Sequence, residues 1–143
     1  FSACNIYAGD VMRAMNIPLP TKADLGGVDG GGTLTIGPAR MVWWLNRQAG
    51  RDAGWVKIDK SNNDDLYKLL QHLREGRPAL AVDSGHVAVL RPDSLPDSLT
   101  TDNVSSLYIA QAGGFNGENN SNKIMLKKAG YGSSFVPEFY IHP

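Results

Sequence analysis

The hydrophobic period of this chain changes at Gly76-Arg77-Pro78, and that change limits the fold more than any other feature. Ahead of it, Leu66, Leu69, Leu70 and Leu73 recur at i, i+3, i+4 and i+7, the spacing of one helix face, which predicts a helix over residues 63–75. Beyond Pro78 the apolar runs are short: Ala79-Leu80-Ala81-Val82, His86-Val87-Ala88-Val89-Leu90, Leu107-Tyr108-Ile109-Ala110-Gln111-Ala112 and residues 135–141. Gly, Pro, Asp or Ser bounds each of them, as turn residues bound strands. Asp83-Ser84-Gly85 reads as a tight turn between the first two. Helices first and consecutive strands afterwards predict an α+β fold, with N-terminal helices packed on one face of an antiparallel β-sheet.

The N-terminal elements follow from the same patterns. Cys4, Tyr7, Val11 and Met15 fall at helical spacing and predict a buried face, in a helix that ends before Pro18 because proline biases Ile17 out of the helix. Residues 23–37 are Gly-rich and read as a mobile surface loop. No Walker Lys-Ser/Thr follows it, and Asp24 and Asp29 lack the alternating carboxylates of a calcium loop. Pro38 suits a first helical turn, with Met41, Val42, Trp44 and Leu45 as its apolar face and Gly50 as its C-cap. Trp43 and Trp44 are about 100° apart on that helix, so one belongs to the core and the other lies half-buried or lines a groove. Residues 55–58 alternate as a short strand. Ser61, three before Asp64, resembles the start of a capping box, and Gly76 ends the helix it opens. Residues 91–106 read as a long loop, 113–122 as irregular, and 123–128 as a further strand.

With 143 residues, the chain has room for one domain, spanning 1–143, with a substantial core. Lys plus Arg number 14 and Asp plus Glu number 14, and the two signs are interspersed. That distribution lacks the clustered cations of a nucleic-acid footprint. No apolar stretch reaches the roughly 20 residues of a membrane-spanning helix, and no charged-then-apolar leader precedes Cys4. One cysteine excludes an internal disulfide and a structural zinc site built on several thiolates.

That cysteine opens the first helix. Unpaired N–H groups and the positive end of the helix dipole stabilise a thiolate there, and by itself the position suits a nucleophile and a small packed core residue equally. A nucleophilic cysteine needs a base within reach and a third polar group to orient it. Of three histidines, His72 lies beside Arg74 and Glu75 on what reads as a solvated helix face, and His142 lies in a terminus expected to fray. His86 opens an apolar strand directly after a tight turn. It is the candidate base.

Cys4-Asn5-Ile6-Tyr7-Ala8-Gly9-Asp10-Val11, Ser84-Gly85-His86-Val87-Ala88-Val89-Leu90 and Tyr108-Ile109-Ala110-Gln111-Ala112-Gly113, in that order, resemble the papain-like NlpC/P60 and CHAP superfamily of cysteine amidases and peptidases. The resemblance implies a papain-like fold, Cys4 as nucleophile, His86 as base, and a third polar residue from the following strand, here Gln111. Family members usually carry His, Asn, Asp or Glu at that point. A glutamine oxygen can accept an imidazole N–H and hold its tautomer without adding charge. Asp83 and Asn116 are alternative orienters; Gln111 is favoured on a strand register that sets it across from His86. The chemistry implied is attack of Cys4 on an amide carbonyl, with the Cys4 backbone N–H donating to the oxyanion, and it needs no cofactor and no metal.

The same resemblance implies peptidoglycan or its peptide fragments as substrate, and secretion or delivery to the bacterial periplasm or cell wall. A unit of this kind would suit an effector or a lysin domain, and an effector would be matched by an immunity protein as partner. Residues around Asp29, Asn116 and Asn119, with an indole from Trp43, Trp44 or Trp55, are candidate groove walls. Two alternatives remain open at this level: an acyltransferase or deamidase acting on protein, and a non-catalytic binding domain of the same fold with Cys4 in its core.

Overall fold

The structure, a computed structural model, describes residues 4–26, 34–110, 124–126 and 137–143. Mixed helices and antiparallel strands make it α+β, in the order α1 (Cys4–Ala14), α2 (Pro38–Leu45), α3 (Gln48–Asp52), β1 (Val56–Ile58), α4 (Asn63–Arg74), β2 (Ala79–Val82), β3 (Val87–Leu90), β4 (Tyr108–Ala110), β5 (Ile124–Met125) and β6 (Glu138–Ile141), with a 3-10 turn at Val104–Ser106. The described strands form one antiparallel sheet ordered β1-β6-β2-β3-β4-β5. The C-terminal strand therefore inserts between β1 and β2. The strand expected within residues 135–141 is paired on both sides, and His142 after it, expected to fray, is held: its Nε2–H donates to the Ala53 carbonyl at 2.7 Å.

Strand alternation divides the core in two. Leu80, Val82, Val87, Val89 and Tyr140 face one side, where Ala8 and Met12 of α1 and Met41, Trp44 and Leu45 of α2 cover them. Ala79, Ala81, Ala88, Leu90, Phe139 and Ile141 face the other, against Leu66, Leu69, Leu70 and Leu73 of α4. Helices on one face were expected; α4 on the opposite face corrects that. The reason is that both faces of β2 and β3 are apolar, as Ala79-Leu80-Ala81-Val82 and Val87-Ala88-Val89-Leu90 show, so both need cover. Each buried leucine of α4 is worth about 1.5–3 kcal/mol over its exposed state.

Several local expectations shift. The inward face of α1 is Cys4, Asn5, Ala8, Gly9 and Met12; Tyr7 and Val11 are only partly covered and Met15 is exposed. The stripe is rotated because the segment at 34–36 also packs on α1, with Asn5 Nδ2 donating to the Thr35 carbonyl at 2.8 Å. That segment bounds the Gly-rich stretch, and its Thr35 and Ile36 are buried. Thr35 bridges Thr21, and Lys22 N and Ile36 N bond Leu34 O and Pro20 O at 2.9 and 3.1 Å, so both described ends of the stretch are fastened.

Gly50 is not a helix cap. The helix stops at Leu45, and Gly50 lies inside α3, where a Cβ would come within 2.6 Å of the Trp44 carbonyl oxygen. The cap of α4 is Asn62, whose Oδ1 accepts from Asp64 N and Asp65 N at 2.8 and 3.2 Å; Ser61 Oγ instead donates to Asp59 Oδ1 at 2.6 Å. Gly76, with φ +69°, ends the helix as predicted.

Candidate active site

Cys4 is the first residue of α1, and it is fully buried in the layer that α1 and α2 form with Val82, Val87 and Val89. α1 packs against β3. His86 immediately precedes β3 and is 8% exposed, so the cysteine opens one of two packed elements and the histidine stands one residue ahead of the other.

The turn that carries His86 has a specific construction. Asp83 N donates to the His86 carbonyl at 2.9 Å, which closes the β2–β3 hairpin after the last ladder pair, Val82 opposite Val87. A regular ladder would return the His86 N–H to the main-chain oxygen of Asp83. Here it donates to the Asp83 carboxylate, Oδ1, at 2.8 Å, and Gly85 N donates to the same oxygen at 2.8 Å. These are charge-assisted bonds, stronger than their neutral counterparts. Asp83 thus holds the backbone of His86. As a competing orienter of the ring it already has one oxygen committed to two backbone donors.

Period-two alternation bears on where the ring goes. Val87 and Val89 face α1, while Ala88 and Leu90 face α4. A regular continuation would send residue 86 to the α4 face, away from Cys4. His86 lies outside the regular ladder, at the point where the Asp83 side chain replaces a main-chain acceptor.

The register on which Gln111 was favoured is also corrected. Pairing residue 86 with residue 111 requires Ile109 opposite Ala88; the described ladder sets Ile109 opposite Leu90 and Ala110 opposite Val89, two residues away. Register across β3 and β4 is set over a long connection in which Leu99, Val104 and Leu107 are anchored in the core, and no short turn dictates it. Gln111 itself, like Asn116, Asn119 and Asp29, lies outside the described residues.

Of the candidate indoles, Trp44 and Trp55 are core residues. Trp43 is half exposed, with the Arg47 guanidinium 4.8 Å from its ring centroid, a cation–π contact on the surface of α2. A cleft of about 310 Å³ lined by Lys60, Ser61, Thr101, Val104, Ser105 and Phe139 opens on the α4 side of the sheet and contains neither a cysteine nor a histidine. Among the described residues no three His, Cys, Asp or Glu side chains converge as a metal-binding group, and no helix is long and apolar enough to cross a membrane.

His72 was expected on a solvated face and is buried. Its Nε2–H donates to the Pro78 carbonyl at 2.6 Å, and burial pushes its imidazole below the usual histidine range, against the opposing effect of that hydrogen bond. The signal available in the sequence was its position three residues after Leu69, on the shoulder of the leucine stripe. The same carbonyl accepts His142 N at 3.1 Å, so His72 and the C-terminus meet at the start of β2. Comparison with protein-family models, with curated proteins and with solved structures finds no match for this chain.

Proposed function

We propose that this chain is a cysteine-dependent amide hydrolase of the papain-like NlpC/P60 and CHAP type, with peptidoglycan stem peptides or glycan–peptide amides as substrate. The observation that carries the reading is the packing of α1 on β3, which joins the element opened by Cys4 to the element that His86 immediately precedes, with both residues buried. In the reaction, His86 takes the thiol proton and the Cys4 sulfur bonds the amide carbon, giving a tetrahedral oxyanion that the Cys4 backbone N–H stabilises. His86 returns the proton to the leaving amine as the C–N bond breaks. Water then resolves the thioester and regenerates the thiol. The orienter in this proposal is the Gln111 that the resemblance implies, with Asn116 or Asp83 as the alternatives, and a bacterial cell wall or periplasm is the place of action, with an immunity protein as the partner that would block the site.

Two observations favour a second reading, a non-catalytic domain in which Cys4 is a core residue. Cys4 has no exposed surface, and strand alternation taken alone directs residue 86 to the opposite face of the sheet. Incubating purified sacculi with the wild type, Cys4→Ala and His86→Ala separates the two. The hydrolase reading predicts new amino termini in the soluble fraction, detected by mass spectrometry, from the wild type alone. Equal release by Cys4→Ala, or none from any of the three, supports the non-catalytic reading or a different nucleophile.

A further inference from the structure

We propose that Asp83 is a positioning residue for His86: its carboxylate diverts the His86 N–H from the main-chain ladder and so frees the ring from the pleat that would turn it away from α1. This rests on the cysteine hydrolase reading above and names how its base is directed.

The parity of β3 decides where an undisturbed residue 86 would point. Ala88 and Leu90 pack towards α4, and residue 86 shares their parity, so an undisturbed two-residue hairpin points its side chain to the face that lacks Cys4. A base for Cys4 requires a local departure from the ladder at that residue. The hydrogen bonds supply one. Asp83 N still donates to His86 O at 2.9 Å, while the return bond from His86 N goes to Oδ1 at 2.8 Å rather than to the backbone. Oδ1 also takes Gly85 N at 2.8 Å, which fixes the two peptide groups before His86 as a unit. An oxygen at this position is needed; a full negative charge is not, because an amide oxygen accepts in the same geometry. With the side chain shortened to a methyl, the His86 N–H has only the main-chain oxygen of residue 83 as a hairpin acceptor. The regular ladder then extends by one pair.

This makes Asp83→Ala and Asp83→Asn different in kind. Asp83→Ala loses the acceptor, and misplacing the base by about 1 Å costs on the order of 10²-fold in turnover. Asp83→Asn keeps the acceptor and loses the charge.

The test measures kcat and KM for amide cleavage of a soluble peptidoglycan fragment, and separately the rate of Cys4 alkylation by iodoacetamide at pH 6, in the wild type, Asp83→Ala, Asp83→Asn and His86→Ala. Circular dichroism and thermal unfolding accompany each variant. The expected result is a kcat at least tenfold lower in Asp83→Ala with KM within about twofold, recovery to within about threefold in Asp83→Asn, and the same order of rates in alkylation. Asp83→Ala matching the wild type in alkylation overturns the proposal, and so does Asp83→Asn falling as low as Asp83→Ala. Alkylation distinguishes this failure from failure of the hydrolase reading: a wild type that cleaves no amide but shows the Asp83 pattern in alkylation sinks the substrate assignment and leaves the positioning role standing. Should Asp83→Ala fail to fold, Asp83→Asn beside Asp83→Ser, whose shorter hydroxyl reaches less far, gives the same comparison: Ser slower than Asn supports the proposal, and Ser equal to the wild type overturns it.

Discussion

Placing one methyl group on Gly9 should loosen the N-terminal layer, although helix propensity alone predicts the reverse. Gly9 lies within α1, and replacing a mid-helix glycine by alanine is worth about 1 kcal/mol of stabilisation where there is room. Here the new Cβ would overlap Thr35 Oγ1 and lie 2.9 Å from Thr35 Cβ and 3.1 Å from Thr35 Cγ2. Rotating the threonine exchanges one overlapping atom for another, so relief requires the buried segment at 34–36 to move off α1. Overpacking of this kind costs about 1–3 kcal/mol, and contact with three atoms of one side chain places it at the upper end. The net effect of Gly9→Ala is a loss of about 2 kcal/mol, or a fall in Tm of roughly 4–8 °C for a chain of this size. The shift also strains the bond from Asn5 Nδ2 to the Thr35 carbonyl, next to Cys4. Urea unfolding of Gly9→Ala, Thr35→Ala and the double variant measures it. Thr35→Ala removes two of the three clashing atoms, so the double variant should be more stable than the sum of the singles by about 1 kcal/mol. A Gly9→Ala protein more stable than the wild type would refute the packing argument.

Two further outcomes follow from the helices. Burial holds the His72 imidazole below its ordinary value of 6.5. The unfolded chain therefore binds that proton more readily than the folded one, and the stability that neutral His72 contributes is complete above that pH and is lost as pH falls through the folded value. The difference in urea-unfolding free energy between the wild type and His72→Gln should shrink from pH 7.5 to pH 5; an unchanged difference contradicts the burial of a neutral ring. At the start of α4, Asn62→Ala should cost about 1 kcal/mol and Ser61→Ala less than about 0.5 kcal/mol, because only Asn62 accepts from the first-turn N–H groups. The reverse order by chemical denaturation would assign the cap to Ser61.

Where a single local pattern sufficed, the sequence was readable. The leucines of α4, Pro38 at the start of α2, Gly76 after α4 and the turn at 83–86 each state their structure within a dozen residues. Errors gathered where distant partners decide. His72 has charged neighbours in sequence, yet a carbonyl six residues on draws it inward. Gly50 resembles a cap, but the close approach of Trp44 and Leu45 backbone is what calls for a glycine there. A strand within residues 135–141 was legible, but its placement between β1 and β2 has no local signal, and that placement is what holds His142 beside it. The site divides in the same way. The positions of Cys4 at a helix start and of His86 just ahead of a strand were legible, and α1 and β3 do pack together. The β3–β4 register was not legible, because a long connection with its own core anchors separates the strands.

The central claim is that His86 activates Cys4, and the pH dependence of Cys4 alkylation measures it most directly, since the chain has no second cysteine to confuse the readout. Rates followed from pH 4 to pH 10 in the wild type should show thiolate reactivity well below the ordinary cysteine value of about 8.5, and in His86→Ala the midpoint should move up towards it. Superimposable profiles for the two proteins, with reactivity appearing only near that value or with no reaction in the folded state, would contradict the account and leave Cys4 as a packed thiol.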